Sequence, residues 1–242
     1  MCTILIADDE LITVKNMFNN MVRGNKNIKL IGISENGKET LQSMQVIMPD
    51  VLLLDLMMPK MNGIELLDKL IEEKERYLSR MKIIVISSYI DKLYKNNKYK
   101  EFIYAILPKP LDTLRLLKII EDINIDIENK NIKKYIEYTL SKFNFNKNSC
   151  AYKYLKDTIY QIINEGKSNF ELEKDIYKKV AKLNRKKNEM VVKWNIEKLM
   201  NNMYINTRYD KVKEYFSCDT KMTTKIFIRE IVNEINKELE KQ

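Results

Sequence analysis

The sequence predicts an α/β domain built on a five-stranded, doubly wound parallel sheet, followed by an all-α domain. Short β-branched runs alternate with helical apolar spacing through the first half. That alternation stops near residue 124, and no β pattern returns after residue 148. The chain has 242 residues, a length that suits two average domains.

Strands are expected at 3–7, 29–34, 51–55, 82–87 and 104–107. Helices are expected between and after them at 11–22, 37–47, 64–73, 91–100 and 111–123. Strand–helix alternation places helices on both faces of a parallel sheet, and ligands of such sheets bind beyond the carboxyl ends of the strands. Residues 124–147, rich in Asn, Lys and aromatics, read as a connection with weak helical spacing over 133–142. Helices at 151–164, 171–183, 188–203, 210–216 and 223–241 then form the second domain. The expected organisation is therefore 1–123, 124–147 and 148–242.

Composition narrows the chemistry. With 45% apolar and 32% charged residues the chain falls in the globular class, not the disordered or fibrous ones. The apolar run at 3–7 is cut short by Asp8, Asp9 and Glu10, and no uncharged run reaches the roughly 18 residues of a membrane span. The expectation is a cytoplasmic chain without a membrane segment. Cys2, Cys150 and Cys218 are odd in number and far apart, which predicts free thiols in place of a disulfide frame. The sequence has no histidine, so His-based triads and His metal sites within this chain are excluded.

Polar residues fall at the strand ends in a pattern. Asp8 and Asp9 close the first strand, Asp55 the third and Ser87 the fourth, and Lys109 follows the fifth. Three carboxylates brought to one point repel one another unless a hard cation lies among them, and an all-oxygen set suits Mg2+. Asp55 follows Val51, Leu52, Leu53 and Leu54, an apolar run that fixes it on a rigid strand while leaving it at the sheet edge.

These residues, in this order, resemble the receiver domain of two-component response regulators, a flavodoxin-like fold. The resemblance implies Asp55 as phosphoacceptor, and Asp8, Asp9, Asp55 and the backbone carbonyl of Met57 as Mg2+ ligands. Ser87 is then the switch hydroxyl and Lys109 the cation paired with the phosphoryl group. It also implies a histidine kinase or phosphotransferase as donor and a homodimer formed on phosphorylation. One departure stands out. Receivers carry Tyr or Phe three residues before the lysine, where this chain has Ile106; Tyr104, two residues earlier, is expected on the same face.

The charge is uneven. Residues 1–123 hold 18 Lys+Arg against 17 Asp+Glu, whereas residues 174–213 hold 12 against 4. A basic block of this size is the footprint of phosphate-backbone binding. The second and third helices of the distal half are joined by Asn184, Arg185, Lys186 and Lys187, which fits a helix-turn-helix. Val192, Ile196, Leu199, Met200 and Met203 form an inward stripe. The expected DNA contacts are Arg185, Lys186 and Lys187 on phosphates, with Lys193, Asn195 and Lys198 near bases or backbone. Trp194 fits either face.

This half resembles the effector domain of the stage-zero sporulation master regulator family. The resemblance rests on residues 154–159, Ile176 and Tyr177, residues 180–182, the apolar rhythm of 192–204, and Thr223, Thr224, Phe227 and Ile228. It implies a phosphorylation-activated, sporulation-related transcription factor that binds DNA as a dimer. The family's arginine-rich recognition segment is replaced here by residues 191–198, which removes a usual source of guanine readout. An alternative is a regulator whose divergent effector binds protein partners instead of DNA. An enzymatic output is not expected, because the second half lacks a Gly-rich phosphate loop, histidine and clustered carboxylates.

Overall fold

Every other residue of the central strands serves one of two cores, and this alternation explains the layered first half. The structure is a computed structural model describing residues 1–90, 93, 97–143, 145–166, 171–205, 209–216 and 221–241. It divides into two units, Met1–Ile127 and Glu128–Gln242. In the first unit β1 (Cys2–Ala7), β2 (Ile28–Ser34), β3 (Val51–Leu54), β4 (Lys82–Ser87) and β5 (Ile103–Pro108) form a parallel sheet of order β2-β1-β3-β4-β5. This is the doubly wound arrangement the sequence predicts.

Leu5, Ala7, Leu52, Leu54, Ile83 and Val85 pack on one face with Leu66, Leu67 and Leu70 of α3 (Gly63–Glu72) and Met44 of α2 (Gly37–Val46). Ile4, Ile6, Val51, Leu53, Ile84 and Ile86 pack on the other with Phe18 of α1 (Leu11–Met21). The period of two in these runs, buried on both sides, is what a central parallel strand requires. A short α4 (Lys74–Tyr77) follows α3 and buries Tyr77. Most of the helix expected over 91–100 lies outside the described residues, and Asn97–Tyr99 form a single 3-10 turn.

Strand β5 departs from simple counting. Its register with β4 slips between Ile83 and Ile84, so that Ile83 pairs with Ile103 and Ile84 with Ala105. Tyr104 is left as the extra residue of a bulge, 43% exposed, with the Lys82 ammonium 5.6 Å from its ring centroid. The slip breaks the period of two, so Tyr104 does not share the face of Ile106 as counting alone predicts. Ile106 packs against the core that holds Val85.

Helix α5 (Thr113–Ser141) begins in the first unit, ends in the second and runs well past the expected stop at 123. It contains no glycine or proline to end it. Leu116, Ile120 and Ile123 belong to the first unit's core, while Ile136 and Leu140, within the stretch read as a connection, belong to the second unit's core. Cys2 is buried, and burial followed by the charge of Asp50 pushes its thiol up to about 12. Cys150 is exposed; Cys218 lies outside the described residues.

The second unit is helical among its described residues: α6 (Cys150–Asn164), α7 (Tyr177–Leu183), α8 (Glu189–Ile205), α9 (Tyr209–Phe216) and α10 (Thr224–Leu239). The helix expected over 171–183 is interrupted, since Leu172–Ile176 forms a wide π turn ahead of α7. Ser149 and Thr223 cap α6 and α10 by accepting from the N–H groups of Tyr152 and Ile226. The core is closed by an aromatic cluster. Phe143 stacks on Phe216 with centroids 5.7 Å apart and meets Phe227 edge-on at 5.2 Å, with Phe145 and Tyr215 around it. Lys142 donates to Tyr215 Oη at 2.7 Å and to Glu234 Oε1 at 3.1 Å, which ties α5, α9 and α10 together at its rim.

Candidate functional site

The carboxylates are set by backbone pairing before any side-chain contact is made. Asp8 N–H donates to the Ser34 carbonyl at 3.0 Å and Asp55 N–H to the Ala7 carbonyl at 2.8 Å, extending the β1 ladder by one rung on each side. Asp8 Oδ1 accepts from Glu10 N–H at 2.9 Å, and Asp55 Oδ1 accepts from Met57 N–H at 3.1 Å. Each carboxylate therefore has one oxygen held by its own loop and one left to face the site. Both side chains are nearly buried, whereas Asp9 is exposed.

Lys109 meets the free oxygens. Its Nζ lies 3.0 Å from Asp8 Oδ2 and 2.5 Å from Asp55 Oδ2. Burial alone would push this ammonium down, but its hydrogen bonds to Asp55 and Asp8 hold it above the ordinary lysine value. Lys109 N–H also donates to the Ser87 carbonyl at 3.3 Å, and Ser87 Oγ, fully buried, accepts from Tyr89 N–H at 3.2 Å. The carboxyl ends of β1, β3, β4 and the segment after β5 thus converge.

A residue the sequence reading passed over controls how close these elements come. At Gly63 a Cβ would fall 2.3 Å from the Asp55 carbonyl oxygen and 2.7 Å from Leu56 Cα. Only glycine permits α3 to start against the backbone of Asp55 and Leu56. The signal was available: Gly63 opens a helix, a position it weakens, directly after Asn62, which accepts from Ile64 and Glu65 N–H in a capping box.

Ligand oxygens of Asp8, Asp9 and Asp55 lie within 4.8 Å of one another. Three carboxylates against one ammonium leave excess negative charge, and the donors are all hard oxygens, so the set fits a divalent cation such as Mg2+. The Met57 side chain is exposed, and its backbone N–H is what holds Asp55.

The sheet edge thus carries a buried aspartate at a strand end, paired with a lysine and flanked by further carboxylates. Residues 4–121 match the response regulator receiver domain family, and the first unit has that fold. Among curated relatives, the transcriptional regulatory protein BtsR of Salmonella typhi is 28% identical over 148 residues, covering 57% of this chain and 59% of that protein. A protein-glutamate methylesterase/protein-glutamine glutaminase of Clostridium acetobutylicum is 33% identical over 122 residues, covering 50% of this chain and 34% of that one. The chain thus spans under two thirds of the length of the relatives it matches. Among solved structures, the receiver domain of AraT, a response regulator from Geobacillus stearothermophilus, is 28% identical with a TM-score of 0.45, over 53% of this chain and 97% of that one.

The second group of predicted residues lies around the α7–α8 turn. Arg185, Lys186, Lys187 and Lys198 are exposed. Lys193 is half-buried in the wall of a cavity of about 600 Å3, together with Glu171, Tyr177 and Glu197. Asn195 is half-buried and its Nδ2 donates to the Val191 carbonyl at 2.7 Å. The inward stripe of Val192, Ile196, Leu199, Met200 and Met203 is buried as expected, and Trp194, at 62% exposure, points to solvent.

The turn itself is closed in an unusual way. Arg185 N–H donates to the Lys182 carbonyl at 3.1 Å and Lys186 N–H to the Ala181 carbonyl at 2.8 Å. These are the two bonds of a Schellman cap, and Arg185 occupies its left-handed position with φ 52°, where glycine is usual. Asn184 secures the cap by donating from Nδ2 to Asp157 Oδ2 at 2.8 Å and to the Val180 carbonyl at 3.0 Å. Among the described residues no helix is long and apolar enough to cross a membrane.

Proposed function

We propose that this chain is a phosphorylation-activated response regulator whose distal half binds DNA and controls transcription in a two-component or phosphorelay system. The observation that carries the reading is Lys109 bridging Asp8 and Asp55 at the sheet edge. Asp55 presents the oxygen that attacks the phosphorus of a donor held by a histidine kinase or phosphotransferase. The bond from phosphorus to the donor breaks, its electron pair leaves with the donor, and an acyl phosphate remains on Asp55. Lys109 transfers its pairing from the carboxylate to the new phosphoryl oxygens, and Ser87 supplies a hydroxyl to the same group. Asp8, Asp9, Asp55 and the Met57 carbonyl would hold Mg2+, which would supply positive charge to offset that of the phosphoryl group. Phosphorylation favours a homodimer.

The similarity to a transcriptional regulator and the basic excess of the second unit support DNA as the output ligand. Arg185, Lys186 and Lys187 are exposed and placed to meet phosphates, and Lys198 is exposed beside the Trp194 ring; Lys193 and Asn195 are engaged elsewhere and contribute only on rearrangement. The resemblance of residues 148–242 to the sporulation regulators supports a sporulation-related role, a non-enzymatic output and a cytoplasmic site of action.

Asp55→Asn tests the first step, because the amide keeps the shape and loses the nucleophile. With a small acyl phosphate and Mg2+, the natural chain gains one phosphoryl group by intact mass and the variant gains none. Full uptake by the variant at another residue refutes the assignment. A salt-dependent DNA titration of the full chain tests the second step: a steep slope supports it, and no binding at low salt transfers the reading to a protein-binding output.

A further inference from the structure

We infer that Trp194 reads DNA by apolar contact with thymine methyl groups; this rests on the DNA-binding reading above and names the readout that serves it. Trp194 is the chain's single tryptophan. It is 62% exposed in the second turn of α8, and Met190, one turn before it on the same side, is 57% exposed. Lys198, one turn after, places its Nζ 5.1 Å from the indole centroid. The outward stripe of this helix is thus Met, Trp, Lys, opposite the buried stripe that fixes its orientation.

Two polar side chains of α8 expected near bases are otherwise occupied. Asn195 gives its amide to the Val191 carbonyl, and Lys193 is half-buried beside Glu171 and Glu197. What α8 turns outward is an apolar surface. A tryptophan and a methionine held in water are unfavourable, and burying them against another apolar group relieves that.

Charge selects the partner. The stripe begins just after Arg185, Lys186 and Lys187, all exposed, in a segment with 12 basic residues against 4 acidic ones. Such a border attracts a polyanion to this end of α8. In the major groove of duplex DNA the one apolar group presented by a base edge is the C5 methyl of thymine. Apolar contact there distinguishes A·T pairs without a bidentate side chain.

The test uses the full-length chain and duplexes it enriches from a randomised library. One enriched duplex is made with thymidine and again with deoxyuridine, which removes the methyl groups and leaves the hydrogen-bonding edges intact. The deoxyuridine duplex should bind about fourfold more weakly for each methyl contacted. Emission from Trp194 should change on binding the thymidine duplex. Trp194→Ala, at an exposed position, should bind both duplexes equally while keeping the natural salt slope. Equal affinity of the natural chain for both duplexes, with a normal salt slope, overturns the inference and leaves the DNA reading intact. A ratio that persists in Trp194→Ala also overturns it. Absence of DNA binding at low salt removes both, and a blue shift of Trp194 with protein concentration alone would assign the surface to protein association instead.

Discussion

The carboxylate site of the first unit and the basic turn of the second obtain their properties by opposite means. At the first, Asp8 and Asp55 are nearly buried and each has one oxygen fixed by a backbone N–H, so chemistry depends on ångström placement in a site of reduced solvent screening. At the second, Arg185, Lys186 and Lys187 are exposed, and their effect is summed charge acting through water. One site is sensitive to single atoms. The other responds to ionic strength and to the count of cations.

That contrast can be broken or sharpened by substitution. The largest effect is expected at Gly63→Ala, where the new Cβ must displace the Asp55 backbone. Overpacking of this kind costs about 1–3 kcal/mol, read by denaturant midpoint, and phosphoryl uptake should fall to a small fraction of the natural rate. Uptake at the natural rate would show that Asp55 tolerates displacement. Lys109→Ala comes next. It removes one exposed-side ammonium from between two carboxylates, so phosphorylation-dependent self-association, followed by sedimentation, should be lost while the fold persists. Ser87→Ala should act in the same direction, and an unchanged response in both variants would remove them from the switch.

On the opposite side of the comparison, joint replacement of Arg185, Lys186 and Lys187 by Ala should flatten the salt dependence of DNA binding by about two to three units. Affinity should drop for every sequence alike, with no effect on phosphoryl uptake. An unchanged slope would mean that phosphates are contacted elsewhere. The smallest effect is expected from Arg185→Gly. Glycine relieves the left-handed strain of the Schellman cap, so stability should rise by up to about 1 kcal/mol while the salt slope falls by about one unit. A loss of stability would show that the arginine side chain contributes more to the cap than its backbone costs.

Much of this was readable from the sequence, and the reasons are local. A strand buried on both faces writes itself as an apolar run, and Asp55 or Ser87 at its end is conspicuous because nothing in the run resembles it. Helix α8 was readable because a stripe at 192, 196, 199, 200 and 203 fits one period. Features set by tertiary contact were hidden. The bulge that turns Tyr104 outward depends on the register with β4, which no single strand encodes. The π turn ahead of α7 replaces a helix whose apolar spacing continues without a break. The role of Gly63 is a distance to a residue eight positions earlier, and the direction of Trp194 was undecidable while both faces of α8 carried apolar side chains.

The aromatic cluster of the second unit bears on how the chain comes into being. Phe143 is made early and Phe227 late, yet their rings touch, and Phe216 lies against both. The β-sheet of the first unit is complete in sequence by Pro108 and can close while later residues are still being added. The second unit has no such option. During vectorial synthesis Phe143 and Phe145 meet earlier partners such as Tyr152 and Phe216 first, and lack their Phe227 contact until α10 has left the ribosome. Completion of the cluster therefore comes no sooner than translation from Phe143 to α10, however fast any helix within it forms.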